Sequence, residues 1–161
     1  MTLKAVTRLS KSLTQHFAGG ADMFGKDDIV FSYTRSDAIA DGVLVDVTDY
    51  TPEGEHVTLV RQAGFKIPVA LTRAVYDSCV ALPEEYEGLD DITGRLWDIL
   101  FCMRMAAERN KQAAGVRFKV SVRDIAGKHD SGTQRVHELV SVIGPGDDAN
   151  PVITIMYPNE D

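Results

Sequence analysis

The stretch from Phe31 to Val47 brings together Tyr33, Arg35, Asp37 and Asp41 around a strand–short helix–strand corner. Two kinds of chemistry are open to such a group. Tyr33 and Arg35 can hold an anionic ligand, because a planar guanidinium presents forked donors to carboxylate or phosphate. Alternatively, Arg35 pairs with Asp37 or Asp41 and the group is a structural clamp.

Other reactive residues are scattered. Asp147 and Asp148 are adjacent carboxylates in the loop GPGDDANP. Two neighbouring acids do not make a divalent-cation site, which needs more oxygen ligands, and Asp130 or Glu160-Asp161 would have to join them. His16, His56, His129 and His137 show no i,i+4 pair. His129, Asp130 and Ser131 share one loop, but a catalytic triad is defined by geometry, not by proximity in sequence. The Gly144–Asp148 loop has two glycines without a lysine or a following helix, so it is no phosphate cradle, and no dinucleotide fingerprint or nucleophile elbow is present. No catalytic residue, metal site or cofactor is assigned.

A third group is cationic. Arg117, Lys119 and Arg123 alternate with Val116, Phe118, Val120 and Val122, so they project from one face of a half-buried strand. Arg104, Arg109 and Lys111 precede them at the end of a helical pattern, where cations complement the helix dipole. The plain reading is a solvated face. The functional one is a patch for an acidic partner or nucleic acid. A sheet that reads nucleic acid also wants exposed aromatic rings. Phe118, the strand's one aromatic, lies on the apolar side.

The elements that must position these groups follow from periodicity. Leu3, Val6, Leu9, Leu13 and Phe17 recur at helical spacing, and Gly19-Gly20 ends that pattern, so residues 1–26 read as a helical arm. Residues 29–33 read as a strand. Ser36 is expected to cap a helix over 37–41 that Gly42 ends, with a strand at 43–47. Thr51-Pro52-Glu53 reads as the start of a helix stopped by Gly64, with Val57, Val60 and Phe65 inward. Residues 68–71 are extended. Thr72 caps a helix through Val80, and Pro83 ends it. Residues 84–91 are an acidic loop. Asp91 caps the strongest helix, with Ile92, Leu96, Ile99, Leu100 and Met103 inward, Trp97 at the edge, and Gly115 marking the end. Strands at 116–123, 136–143 and 152–157 with short links predict an antiparallel meander.

The chain has 161 residues, 44% hydrophobic and 25% charged, which are ordinary globular values and exclude global disorder. One domain is expected over 1–161. Cys79 and Cys102 sit in apolar helical segments and read as reduced, buried thiols. No stretch approaches the ~20 apolar residues needed to span a bilayer, so a cytoplasmic protein without a membrane contact is expected. The formal charge of −7 is unevenly spread. Residues 1–26 carry +3, residues 27–103 carry −10, residues 104–135 carry +5 and residues 136–161 carry −5. The acidic blocks keep small domains apart, or they mimic a nucleic acid in another protein's basic groove.

The segments FSYTRSDAIADGVLVDV, PVALTRAVYD, DDITGRLWDIL and VSVIGPGDDANPVITIMYPNED resemble an uncharacterised family of bacterial, phage and plasmid proteins, from about Ile29 to the C-terminus. The resemblance implies no activity and no catalytic residues. It implies a setting, the accessory genes of mobile elements, where small proteins often antagonise host CRISPR or restriction systems. The expected fold is α+β, with helices packed on an antiparallel sheet. The expected function is non-enzymatic binding of another protein, with a host defence complex as the most concrete partner and a homodimer as a further form. The alternatives are a ligand site or enzyme at Tyr33, Arg35, Asp37 and Asp41, and a nucleic-acid regulator using the 104–135 face.

Overall fold

The structure is a computed structural model that describes residues 33–83, 90–124 and 133–160. The helical arm expected over 1–26 and residues 84–89 of the acidic loop expected over 84–91 lie outside the described residues, as does the expected 29–33 strand except Tyr33, which is not in a strand.

Helix α1 (Arg35–Ala40) begins with a reciprocal cap. The Thr34 hydroxyl accepts from the N–H of Asp37, and the Asp37 carboxylate accepts from the N–H of Thr34. Thr34 therefore takes the role expected of Ser36, because only a residue three before an acid can close this pair. Asp41 caps the far end, and Gly42 turns the chain at φ 75°. Strand β1 (Leu44–Asp46) follows.

The helix expected from Thr51 is mostly absent. The N–H of Glu55 bonds to the carbonyl of Pro52 at 3.1 Å, and Gly54 sits at φ 80°. That tight turn uses the residues a helix needs for its first turn. Helix α2 (Leu59–Gln62) starts instead at Thr58, whose hydroxyl accepts from the N–H of Arg61. Gly64, at φ 90°, closes it as expected. Val60 and Phe65 pack on the core, whereas Val57 is exposed because it precedes the helix.

Strand β2 (Val69–Thr72) is followed by α3 (Arg73–Val75), capped by Thr72, which runs on into a π-helical turn over Tyr76–Val80. Helix α4 (Ile92–Arg109) opens on Asp91, whose carboxylate accepts from the N–H groups of Thr93 and Gly94. It buries Leu96, Ile99, Leu100 and Met103, four positions of the expected stripe. Asn110 ends α4 before Gly115, its amide donating to the carbonyl of Ala106 at 3.0 Å. Gly115 opens β3 instead.

Strands β3 (Gly115–Arg123), β4 (Gln134–Pro145) and β5 (Pro151–Met156) form the antiparallel meander. The sheet order is β1-β2-β5-β4-β3. The sheet as a whole is mixed, because β2 pairs with β5 in parallel while β1 joins β2 antiparallel. An interior position between β1 and β5 explains the composition of β2: Val69, Ala70 and Leu71 are all fully buried. The core lies between α4 and one sheet face, with Leu71, Leu139 and Ile155 beneath Leu96, Ile99 and Leu100. We call this the inner face.

No helix among the described residues is long and apolar enough to cross a membrane.

Candidate functional site

The Tyr33 corner uses its polar groups internally. Tyr33 Oη donates to Asp41 Oδ2 at 3.1 Å. Asp37 is held by Thr34, and its hydrogen bonds keep the carboxyl below the usual carboxylate range. Arg35 pairs with neither Asp37 nor Asp41. Its Nη1 donates to Thr154 Oγ1 at 2.9 Å and its Nη2 to the carbonyl of Ile153 at 3.3 Å, so it ties α1 to β5. Burial lowers its pKa, opposed by Asp46 and Asp147. The clamp reading therefore has the right residue and different partners.

Asp147 belongs to the same corner. Its two carboxylate oxygens accept from the N–H groups of Arg35 and Ser36, each at 2.8 Å. Asp148 folds back on its own loop, accepting from the N–H and the side-chain amide of Asn150. Adjacent in sequence, the two acids serve different hydrogen bonds. Among the described residues no group of three or more His, Cys, Asp or Glu is placed to hold a metal ion.

The cations of the 104–135 segment do not form one patch. Arg104 stays on the helix side, where Nη1 donates to the carbonyl of Ala63 at 2.8 Å and Nε pairs with Glu108. Arg117 and Lys119 point from the opposite, outer face of β3. Strict alternation forces this split, since Val116, Phe118, Val120 and Val122 fill the inner side. Arg123, at the strand's end, gives its carbonyl to Arg95 Nη2 at 2.9 Å.

The β3–β4 register decides what accompanies Arg117 and Lys119. Lys119 stands opposite Glu138, Ser121 opposite Val136, and Arg117 opposite Val140. Arg117 also reaches Glu138 diagonally at 3.5 Å. Val136 is 63% exposed and Val142 is 39% exposed. The outer face thus presents exposed valines among charged and polar side chains, and no aromatic ring projects from it on β3 or β4. The sequence pattern gave Arg117 and Lys119, but it placed Val136 in a strand without showing which face it takes. Only the register does that.

A separate polar group lies on the inner face. His137 Nδ1 and Tyr157 Oη are 2.7 Å apart, and Tyr157 Oη is 3.7 Å from Cys79 Sγ. Burial pushes the Tyr157 phenol up to about 12. Burial also raises the Cys79 thiol, which makes it a poor nucleophile. Burial, with help from Arg135, lowers His137, so the imidazole is neutral near pH 7.

Residues 21–161 match the sequence model of a family of unknown function, DUF6573. The chain belongs to that family. No curated protein and no solved structure matches the chain. The DUF6573 match begins before the segments that carried the resemblance, and it takes in the α1 corner, the outer face and the His137 group together.

Proposed function

We propose that the protein is a non-enzymatic binding protein that docks another protein on the outer face of β3 and β4. The observation that carries this reading is Val136, 63% exposed on a sheet face with Lys119 and Glu138 close by. An apolar centre inside a charged rim is the usual anatomy of a protein interface. The absence of aromatic rings on this face of β3 and β4 favours a protein over a nucleic acid. Arg117 and Lys119 would steer an acidic-rimmed partner, setting on-rate and selectivity more than affinity. Because β3 is an edge strand, the same cations oppose edge-to-edge pairing, which leaves the face as the contact.

The mobile-element setting implied by the resemblance makes a cytoplasmic host defence complex the partner to test. Affinity purification from host cells with intact defence systems should recover a defence component with the parent protein. A Val136→Asp/Lys119→Glu variant should recover about tenfold less, since a buried apolar anchor is worth more than ~1.4 kcal/mol. Equal recovery with both proteins, or no defence component with either, overturns the proposal.

A further inference from the structure

Where β3 ends and β4 begins, the inner face of the sheet carries a cleft of about 250 Å³. Arg95 from α4 and Arg135 from β4 line it, and the end of β3 contributes Arg123 and Asp124. Ser78, from the π-helical turn, and His137 complete the polar wall. The pairing of Val122 with Arg135, and the spacing of Arg135 two residues before buried His137, put Arg135 on the inner side.

The arginines differ in state. Arg95 is 6% exposed and fixed, with Nε on Asp90 Oδ2 at 2.7 Å and Nη2 on the Arg123 carbonyl. The Arg135 side chain makes no hydrogen bond or ion pair among the described residues, yet its charge lowers the pKa of His137 and opposes the rise in that of Tyr157. It is an unused fork aimed at the cleft region. Two acids also line the cleft, Asp77 and Asp124. Asp77 is partly offset by Arg73 at 3.7 Å. Arg95 is already paired with Asp90, which leaves Arg135 as the inner-face guanidinium open to an anion.

Guanidinium forks match the geometry of phosphate oxygens, and hydroxyl and imidazole N–H groups add neutral donors. The volume falls just under the range of about 300–1,000 Å³ typical of drug-sized ligands, which suits a small anion. We propose that this cleft binds a small phosphate monoester, with Arg135 as the forked contact, Arg95 as a fixed charge, and Ser78 and His137 as supporting donors. The site faces away from Val136 and is independent of the docking surface.

Inorganic phosphate is the first probe, titrated into the full chain at constant ionic strength and followed by amide and imidazole NMR. Saturable shifts at Ser78, Arg135 and His137 are expected, with Lys119 unmoved. Arg135→Gln should weaken binding about tenfold, and Ser78→Ala should weaken it less. Arg117→Gln, on the outer face, should bind as the parent does. Unsaturated shifts spread equally over Lys119 and Arg117, or undiminished binding by Arg135→Gln, would overturn the proposal. Phenyl phosphate then tests the ester: binding at least as tight as phosphate supports it, and exclusion counts against it.

Discussion

The carboxylate of Asp147 accepts from the backbone N–H of Arg35 at 2.8 Å, across 112 residues of chain. With the matching bond to Ser36, it satisfies two donors that a helix start leaves open. The β4–β5 hairpin is thereby fastened to α1, and Arg35 returns the link through Thr154 on β5.

Asp147→Ala should lower stability by about 1 kcal/mol, the usual effect of losing a helix-start acceptor. Asp148→Ala, which removes only bonds within its loop, should cost about half of that or less. Urea denaturation of both variants measures the difference. Equal losses would show that Asp147 does not hold α1.

Much of this architecture is legible in the sequence. Alternation fixes β3, Asp91 marks the start of α4, and Gly42 and Gly64 mark two stops. These signals are local, so periodicity and capping chemistry reveal them. The Asp147–Arg35 contact and the parallel β2–β5 pairing join distant residues, and no local pattern encodes either. The site shows the same division. The cations of the basic block are visible in sequence, but their division between two faces depends on which side of the sheet α4 covers. The fork of Arg135 beside His137 becomes visible only when β4 is set in register against β3.

Two glycines give a matched test of backbone packing. A Cβ added at Gly115 would lie 2.7 Å from the carbonyl oxygen of Ser141, whereas one at Gly144 meets nothing within 4 Å. Gly115→Ala should therefore destabilise by about 1–3 kcal/mol, as overpacking does. Gly144→Ala should change stability by less than about 0.5 kcal/mol, as open surface positions do. Thermal unfolding of the pair checks this.

Arg95 joins Asp90 to the end of β3. Its side chain is 6% exposed, and that of Asp90 is 24% exposed. Arg95→Ala leaves a shielded carboxylate and the Arg123 carbonyl without this donor, and about 3 kcal/mol of stability should be lost. Replacing exposed Lys119 should cost less than about 0.5 kcal/mol. Chemical denaturation distinguishes the two.

His137 links stability to pH. Burial, with Arg135, holds its folded pKa below 6.5, and Asp124 opposes the shift. Between the folded value and 6.5 the unfolded chain binds more protons, so stability rises with pH in that window. This contribution is fully present above about pH 6.5 and is lost as pH falls through the folded value. Urea midpoints at about pH 7.5 and about pH 5 should fall more in the parent than in His137→Gln. Parallel falls would remove His137 as the cause.

The central claim is that the outer face of β3 and β4 is a docking surface, and side-by-side affinity purification of the parent and the Val136→Asp/Lys119→Glu variant from defence-competent host cells tests it most directly. Circular dichroism and urea midpoints of the two proteins should agree, because both positions are exposed. The expected result is a defence component bound to the parent and reduced about tenfold on the variant. The same component recovered equally on both, or absent from both, would contradict the account.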